Sequence, residues 1–140
     1  MIIFVRHQHG NRQVNCLSEK GIKDSKRIAN VFGNLKDLNI YSCCPHKQKH
    51  IRPLQTASIV CTYLNTNVTI VENEQKDLPQ DCSKGNHLVV WHHDQIEHLV
   101  RMYCDLEMPL DWDKEDYHRA ILIDHDKVVN IPNFKQINIY

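Results

Sequence analysis

The 140 residues suit one domain, large enough to bury a core without disulfide staples. Lys+Arg and Asp+Glu balance at 17 each, so net charge gives no reason to expect nucleic acid or an anionic membrane as partner. A hydrophobic fraction of 41% and a charged fraction of 24% are those of an ordinary soluble globular chain, while ten histidines stand out.

Residues 2–5, Ile-Ile-Phe-Val, are β-prone and wholly apolar, the pattern of a strand buried on both faces. The run is far too short for a signal peptide or a membrane span, and no later segment approaches one. The six cysteines show no Cys-x-x-Cys spacing. They read as reduced thiols of a cytoplasmic protein. The first strand runs into Arg6-His7-Gln8-His9-Gly10, which is polar and turn-forming. Ser18 then precedes a helix whose inner face is Ile22, Ser25, Ile28, Ala29 and Phe32, with Gly33 as its stop. Gly21 in its first turns lowers its helix propensity. Residues 39–43 form the second predicted strand. A polar loop over 45–51 leads to Arg52 and to Pro53, which suits the first turn of a helix running through Leu64. Residues 68–71 make a third strand. Residues 73–86, with Pro79 and Gly85, read as loop. Residues 88–91 make a fourth strand, 94–104 a helix, and 120–123 a fifth strand. The turn His125-Asp126-Lys127 returns the chain as a hairpin over 128–131. No use is evident for residues 131–140.

Strands alternating with helices imply an α/β fold, a three-layer sandwich with a mostly parallel central sheet in a single domain spanning 1–140. In such folds ligands sit beyond the carboxyl ends of the strands. That rule selects residues 6–10, 43–52 and 91–94, all rich in Arg, His or Cys. If Arg6, His7, Arg52, His92, His93 and Asp94 converge, two guanidinium forks and several imidazoles meet two helix N-termini. Guanidinium groups bind phosphate oxygens in pairs, and helix N-termini favour anions. A neutral imidazole there is a nucleophile for phosphorus, and a protonated one stabilises the transferring group. Arg6-His7 alone fits a solvated strand end equally well, Arg52 alone a surface helix cap, and Trp91 a core residue. Cys43, Cys44, His46 and His50 include ligands that zinc favours. Adjacent cysteines chelate poorly, however, and this spacing is not a usual zinc motif, so ordinary strand cysteines are the expected reading.

Several blocks in order resemble the histidine phosphatase superfamily, the group that includes cofactor-dependent phosphoglycerate mutases. They are Val5-Arg6-His7, Leu17-Ser18-Glu19-Lys20-Gly21, Ile40-Tyr41-Ser42, Arg52-Pro53-Leu54-Gln55-Thr56-Ala57, and the stretch from Leu88 through Trp91-His92-His93-Asp94 to Ile96. Trp112-Asp113 to Tyr117 and the strand after it look like the tail of a small subgroup with a Trp-x-His second histidine motif. The match spans roughly residues 2–124. The resemblance implies a phosphoglycerate mutase-like fold and a phosphatase that hydrolyses phosphomonoesters through a phosphohistidine, without cofactor or metal. It makes His7 the nucleophile and Arg6 and Arg52 the phosphate clamp. A general alignment selects His92 as second histidine and the subgroup pattern selects His93, which is the reading favoured here. Asp94 is the first candidate for general acid, with Glu74 and Asp81 behind it. The substrate class implied is a phosphorylated small molecule or a phosphoprotein. Where the family carries Gly or Ala and then Glu or Gln after the histidine, this chain carries Gln8 and His9. Gln8 is large enough to crowd the pocket, and the alternative function is a non-catalytic member that binds a phosphorylated ligand or a protein.

Overall fold

A computed structural model describes residues 1–11, 13, 15–46 and 50–137. Part of the expected 45–51 loop and the end of the chain lie outside them. Elements in chain order are β1 (Ile2–Arg6), β2 (Gly10–Asn11), β3 (Cys16–Leu17), α1 (Glu19–Phe32), β4 (Leu38–Cys43), α2 (Arg52–Leu64), β5 (Val68–Val71), α3 (Glu74–Asp77), β6 (Asn86–Trp91), α4 (His93–Arg101), β7 (Ala120–Asp124) and β8 (Lys127–Ile131), followed by a 3-10 turn at Phe134–Gln136. Six strands form one sheet in the order β5-β4-β6-β1-β7-β8, and β2 and β3 form a separate two-stranded ribbon. Pairings among β5, β4, β6 and β1 are parallel, and those of β7 with β1 and β8 are antiparallel.

The apolar run of β1 explains the layering. Side chains alternate between sheet faces, and all of Ile2, Ile3, Phe4 and Val5 are fully buried. Ile3 and Val5, with Leu88 and Val90 of β6, pack under Ile28, Ala29 and Phe32 of α1 and Ala57 and Val60 of α2. Ile2 and Phe4, with Val89 and Trp91, pack against Ile96, Leu99 and Val100 of α4. This is a sheet between two helical layers. The helix after β1 and the helix after β6 therefore lie on opposite faces although those strands are neighbours. That divergence opens a crevice at their shared carboxyl edge.

Three elements depart from expectation. The stretch read as loop over 73–86 contains α3, one turn held by side chains: Asn73 Oδ1 accepts from the Lys76 amide at 3.1 Å, and Asp77 Oδ2 accepts from the amides of Glu72 and Asn73 at 3.0 Å. The helix expected over 94–104 begins at His93 and ends at Arg101. Beyond it the Tyr103 hydroxyl donates to the Pro79 carbonyl at 2.6 Å. Ile22, placed on the inner face of α1, is 39% exposed, because it borders a shallow groove between α1 and α2. Asp124 and Lys127 pair across the expected hairpin. Among the described residues no helix is long and apolar enough to cross a membrane.

Candidate active site

The parallel pairing of β1 with β6 sets Arg6 opposite Trp91. The His7 amide donates to the Trp91 carbonyl at 3.0 Å, which extends the ladder one residue beyond the strand. His7 and His92 thus leave adjacent strand ends together. They open into a cleft of about 560 Å³ whose walls include Arg6, His7, Arg52, His92, His93 and Asp94. All six residues named from the sequence meet there, with Cys43 and Cys44 from the end of β4 beside them. His92 is the N-cap of α4 and Ile51 that of α2, and neither helix start has a side-chain cap. Their first amides point toward the same edge of the sheet, where they favour an anion.

His7 is 6% exposed. Its Nδ1 lies 3.0 Å from the carbonyl oxygen of Gln8. A carbonyl only accepts, so Nδ1 carries the proton and Nε2 keeps its lone pair. Burial pushes the imidazole pKa down to about 3; the Gln8 carbonyl pulls it upward, and Arg6, Arg52 and His92 add to the depression. His7 is therefore a neutral imidazole with a fixed tautomer.

Arg6 is 5% exposed. Its Nη1 donates to the carbonyl of Lys114 and, at 3.4 Å, to that of Asp116. Its guanidinium carbon sits 3.9 Å above the centre of the Tyr117 ring. Its Nε is buried and without a partner among the described residues. Burial lowers the pKa of Arg6, opposed mainly by Tyr117. Arg52 lies directly against the backbone of Gly10, where any Cβ would collide with its side chain, so only glycine admits it.

The two adjacent imidazoles take different neighbours. The His92 ring stands edge-on to His7 at 5.7 Å and to His50 at 4.8 Å. Burial first, then His50, Arg52 and His93, depress its pKa to about 4 against the pull of Asp94. His93 is depressed by burial and then by Arg6, so the guanidinium is its main charged neighbour. Asp94 is exposed in the first turn of α4. Glu74 lines the cleft and pairs with His98 at 3.4 Å. Asp81 does not line it; its carboxylate accepts from the Ser83 amide and hydroxyl at 2.8 and 2.7 Å.

Gln8 corrects one expectation. Its side chain does not enter the cleft. It is fully buried on the other side of the backbone, where Nε2 donates to the carbonyls of Arg6 at 2.8 Å and Tyr117 at 2.9 Å. His9 also turns away: its Nδ1 pairs with Ser18 Oγ at 2.7 Å, at the start of α1. Trp91 is core, 3% exposed, with its indole N–H on Gln95 Oε1 at 3.0 Å. Burial pushes the Cys43 thiol up to about 12, which makes it an unreactive wall. Among the described residues no group of three or more His, Cys, Asp or Glu is arranged to hold a metal ion. Two contributors escaped the sequence reading of this chemistry. His50 was weighed only as a zinc ligand, and the sole signal for it was its place in the loop after β4. Tyr117 arrives from the 102–119 stretch, which has no periodicity to place it.

No protein-family model matches the sequence, and no curated protein does. Solved structures do match. A phosphoserine phosphatase from Entamoeba histolytica, in complex with 3-phosphoglyceric acid, superposes with a TM-score of 0.57 at 16% identity, covering 92% of this chain and 93% of its own. The fold is phosphoglycerate mutase-like, a mostly parallel six-stranded sheet with helices around it. Mycobacterial hydrolase 1 gives a TM-score of 0.56 at 13% identity, over 93% of this chain and 95% of that one. A phosphoglycerate mutase from Plasmodium falciparum gives 0.52 at 16% identity, over 91% and 88%. At these identities the likeness is one of architecture, and the chemistry of the cleft has to be argued from its own residues.

Proposed function

We propose that the cleft hydrolyses phosphomonoesters through a phosphohistidine on His7. The observation that carries this reading is the state of His7: a buried, neutral imidazole with Nδ1–H on a carbonyl and the Nε2 lone pair left for phosphorus. In the first transfer Nε2 forms a P–N bond as the ester P–O bond breaks, and the departing oxygen takes a proton from a carboxylic acid of the cleft. Asp94 is the first choice for that acid and Glu74 the second. In the second transfer water forms a new P–O bond and gives a proton to the carboxylate left by the first, the P–N bond breaks, and the electron pair returns to Nε2. Arg6 and Arg52, which both line the cleft, bind the phosphoryl oxygens. A phosphate dianion raises the pKa of imidazoles beside it. It draws a proton onto His92 or His93, whose charge then stabilises the transferring group. Neighbours described as a phosphatase, a hydrolase and a mutase agree with phosphoryl chemistry. The substrate is then a phosphorylated small molecule or a phosphoprotein.

The test is turnover of a generic aryl phosphate by wild type and His7→Ala, with trapping of the phosphoenzyme. Wild type is expected to turn over and to trap phosphate in an acid-labile, base-stable form, and His7→Ala to do neither. Wild-type turnover no higher than that of His7→Ala, with no trapped phosphate, overturns the enzyme reading. Protection by phosphate or vanadate against thermal unfolding would in that case mark the protein as a binder of phosphorylated ligands.

A further inference from the structure

Arg6 is a buried cation that forms no ion pair among the described residues, although the nearby carboxylates of Glu115 and Asp116 favour its charged form. What holds it is the stretch before β7. Besides its bonds to the carbonyls of Lys114 and Asp116, its guanidinium lies flat on the Tyr117 ring at 3.9 Å. The same ring contacts the His7 ring at 6.2 Å and the His9 ring edge-on at 5.4 Å. The Tyr117 carbonyl accepts from Gln8 Nε2 at 2.9 Å. One residue therefore touches all four consecutive residues 6–9, among them the proposed nucleophile and half of the proposed phosphate clamp. The stretch is itself braced. The Trp112 indole donates to the Asp116 carbonyl at 2.9 Å, and the Arg119 guanidinium sits 5.1 Å from the Trp112 ring centre.

We infer that Tyr117 is a positioning residue for the phosphate site, holding the Arg6 guanidinium flat without a carboxylate paired to it, so that in-plane N–H donors stay available to the phosphate. The inference rests on the proposed reading of the cleft as a phosphate site. A ring face attracts the cation without using its in-plane N–H donors. A carboxylate in the same place would attract it more strongly, but would occupy those donors and compete with the phosphate. Nη1 is already spent on two carbonyls and Nε is enclosed, whereas Nη2 makes no bond among the described residues and Arg6 lines the cleft. The stacked geometry therefore leaves an edge of the fork for the ligand. Ordinary packing would need only an apolar side chain of similar volume here, and that difference can be measured.

The experiment compares wild type with Tyr117→Phe, Tyr117→Leu and Tyr117→Met, reading inorganic phosphate and vanadate binding by calorimetry, kcat and KM on an aryl phosphate, and the thermal midpoint. Tyr117→Phe keeps the ring and is expected to bind phosphate within about twofold of wild type, while Leu and Met, which keep bulk but lose the π face, bind about tenfold more weakly. That loss is expected to fall on phosphate affinity and kcat/KM at a thermal midpoint shared with Tyr117→Phe. Equal phosphate affinity in wild type and folded Leu or Met variants overturns the inference and leaves the phosphate reading standing. Wild type that binds neither phosphate nor vanadate overturns the phosphate reading, and the inference with it. Should Leu and Met both fail to fold, the Arg6 Nε–H proton resonance of wild type decides. An upfield ring-current shift that moves when phosphate is added supports the inference, and its absence overturns it.

Discussion

Replacing Gly21 by Ala sets two effects of opposite sign against each other. Gly21 is in the first turns of α1, where helix propensity alone favours Ala by about 1 kcal/mol. A Cβ at that position, however, would fall on the backbone carbonyl of His9, far inside van der Waals contact. The obstacle is backbone, so no rotamer change relieves it, and the start of α1 must move away from the 8–10 loop. That contact is where the two segments are joined. The His9 carbonyl accepts from the Ser18 amide at 3.0 Å and from the Ser18 hydroxyl at 3.1 Å, and His9 Nδ1 pairs with Ser18 Oγ at 2.7 Å. Losing these three bonds at about 1 kcal/mol each outweighs the propensity gain, for a net loss of about 2 kcal/mol. Urea unfolding followed by circular dichroism measures it as a lower midpoint at unchanged slope. A midpoint equal to or above that of wild type would refute the reasoning. The 8–10 loop carries His9 and follows His7 directly, so phosphate affinity is expected to fall along with stability.

Further outcomes follow from the polar interior. Arg6→Lys keeps the charge but loses the fork that binds two carbonyls and an anion at once; phosphate affinity by calorimetry is expected to drop tenfold or more, from a charge-assisted bond worth about 1.5–3 kcal/mol. In the unfolded chain His7 takes up its proton near pH 6.5, and in the folded chain only near 3. Below 6.5 the unfolded state thus binds more protons, and stability falls as pH is lowered from about 6.5 toward 4. The limiting slope is about 1.4 kcal/mol per pH unit for each such histidine. Urea midpoints across this range are expected to flatten in His7→Gln. Asp24, 4% exposed, has a carboxyl that burial alone would push up, but bonds from His118 at 2.9 Å and Lys135 at 3.3 Å outweigh burial and hold it below the usual range. Asp24→Asn is expected to lower stability by about 2 kcal/mol, read by thermal or urea unfolding, since it removes one partner of a buried ion pair.

The parts that apolar patterning governs were legible in the sequence. The run at 2–5 and the run at 88–91 are buried on both faces, so each reads as a central strand, and their parallel pairing puts Arg6-His7 and His92-His93 at one edge. Arg52 joins them because α2 starts from that edge. The parts that depend on direction or on side-chain caps were not legible. The turn of α3 owes nothing to hydrophobic period and everything to Asn73 and Asp77. Gln8 was read as an obstruction, because a sequence gives the size of a residue beside the nucleophile but not the side of the backbone it occupies. Tyr117 reaches the site through a stretch with no regular structure, so only tertiary contacts reveal it.

That blind spot bears on how the site is supported. Residues 6–8 bury a guanidinium that makes no ion pair among the described residues, an imidazole held neutral, and an amide whose Oε1 has no partner among them. Each is a cost to folding, since buried polar groups lose their hydration. The cost is concentrated at the end of β1, whose preceding four residues are all fully buried and apolar. The strand thus anchors the costly end in a fully buried part of the molecule. The compensating contacts are neutral ones: backbone carbonyls for Arg6 and Gln8, a ring face for Arg6, a carbonyl for His7. Carboxylates would have stabilised the guanidinium more, but each would have cancelled the positive charge that a phosphate site needs. The neutral direct contacts of Arg6 thus fit anion binding better than stability.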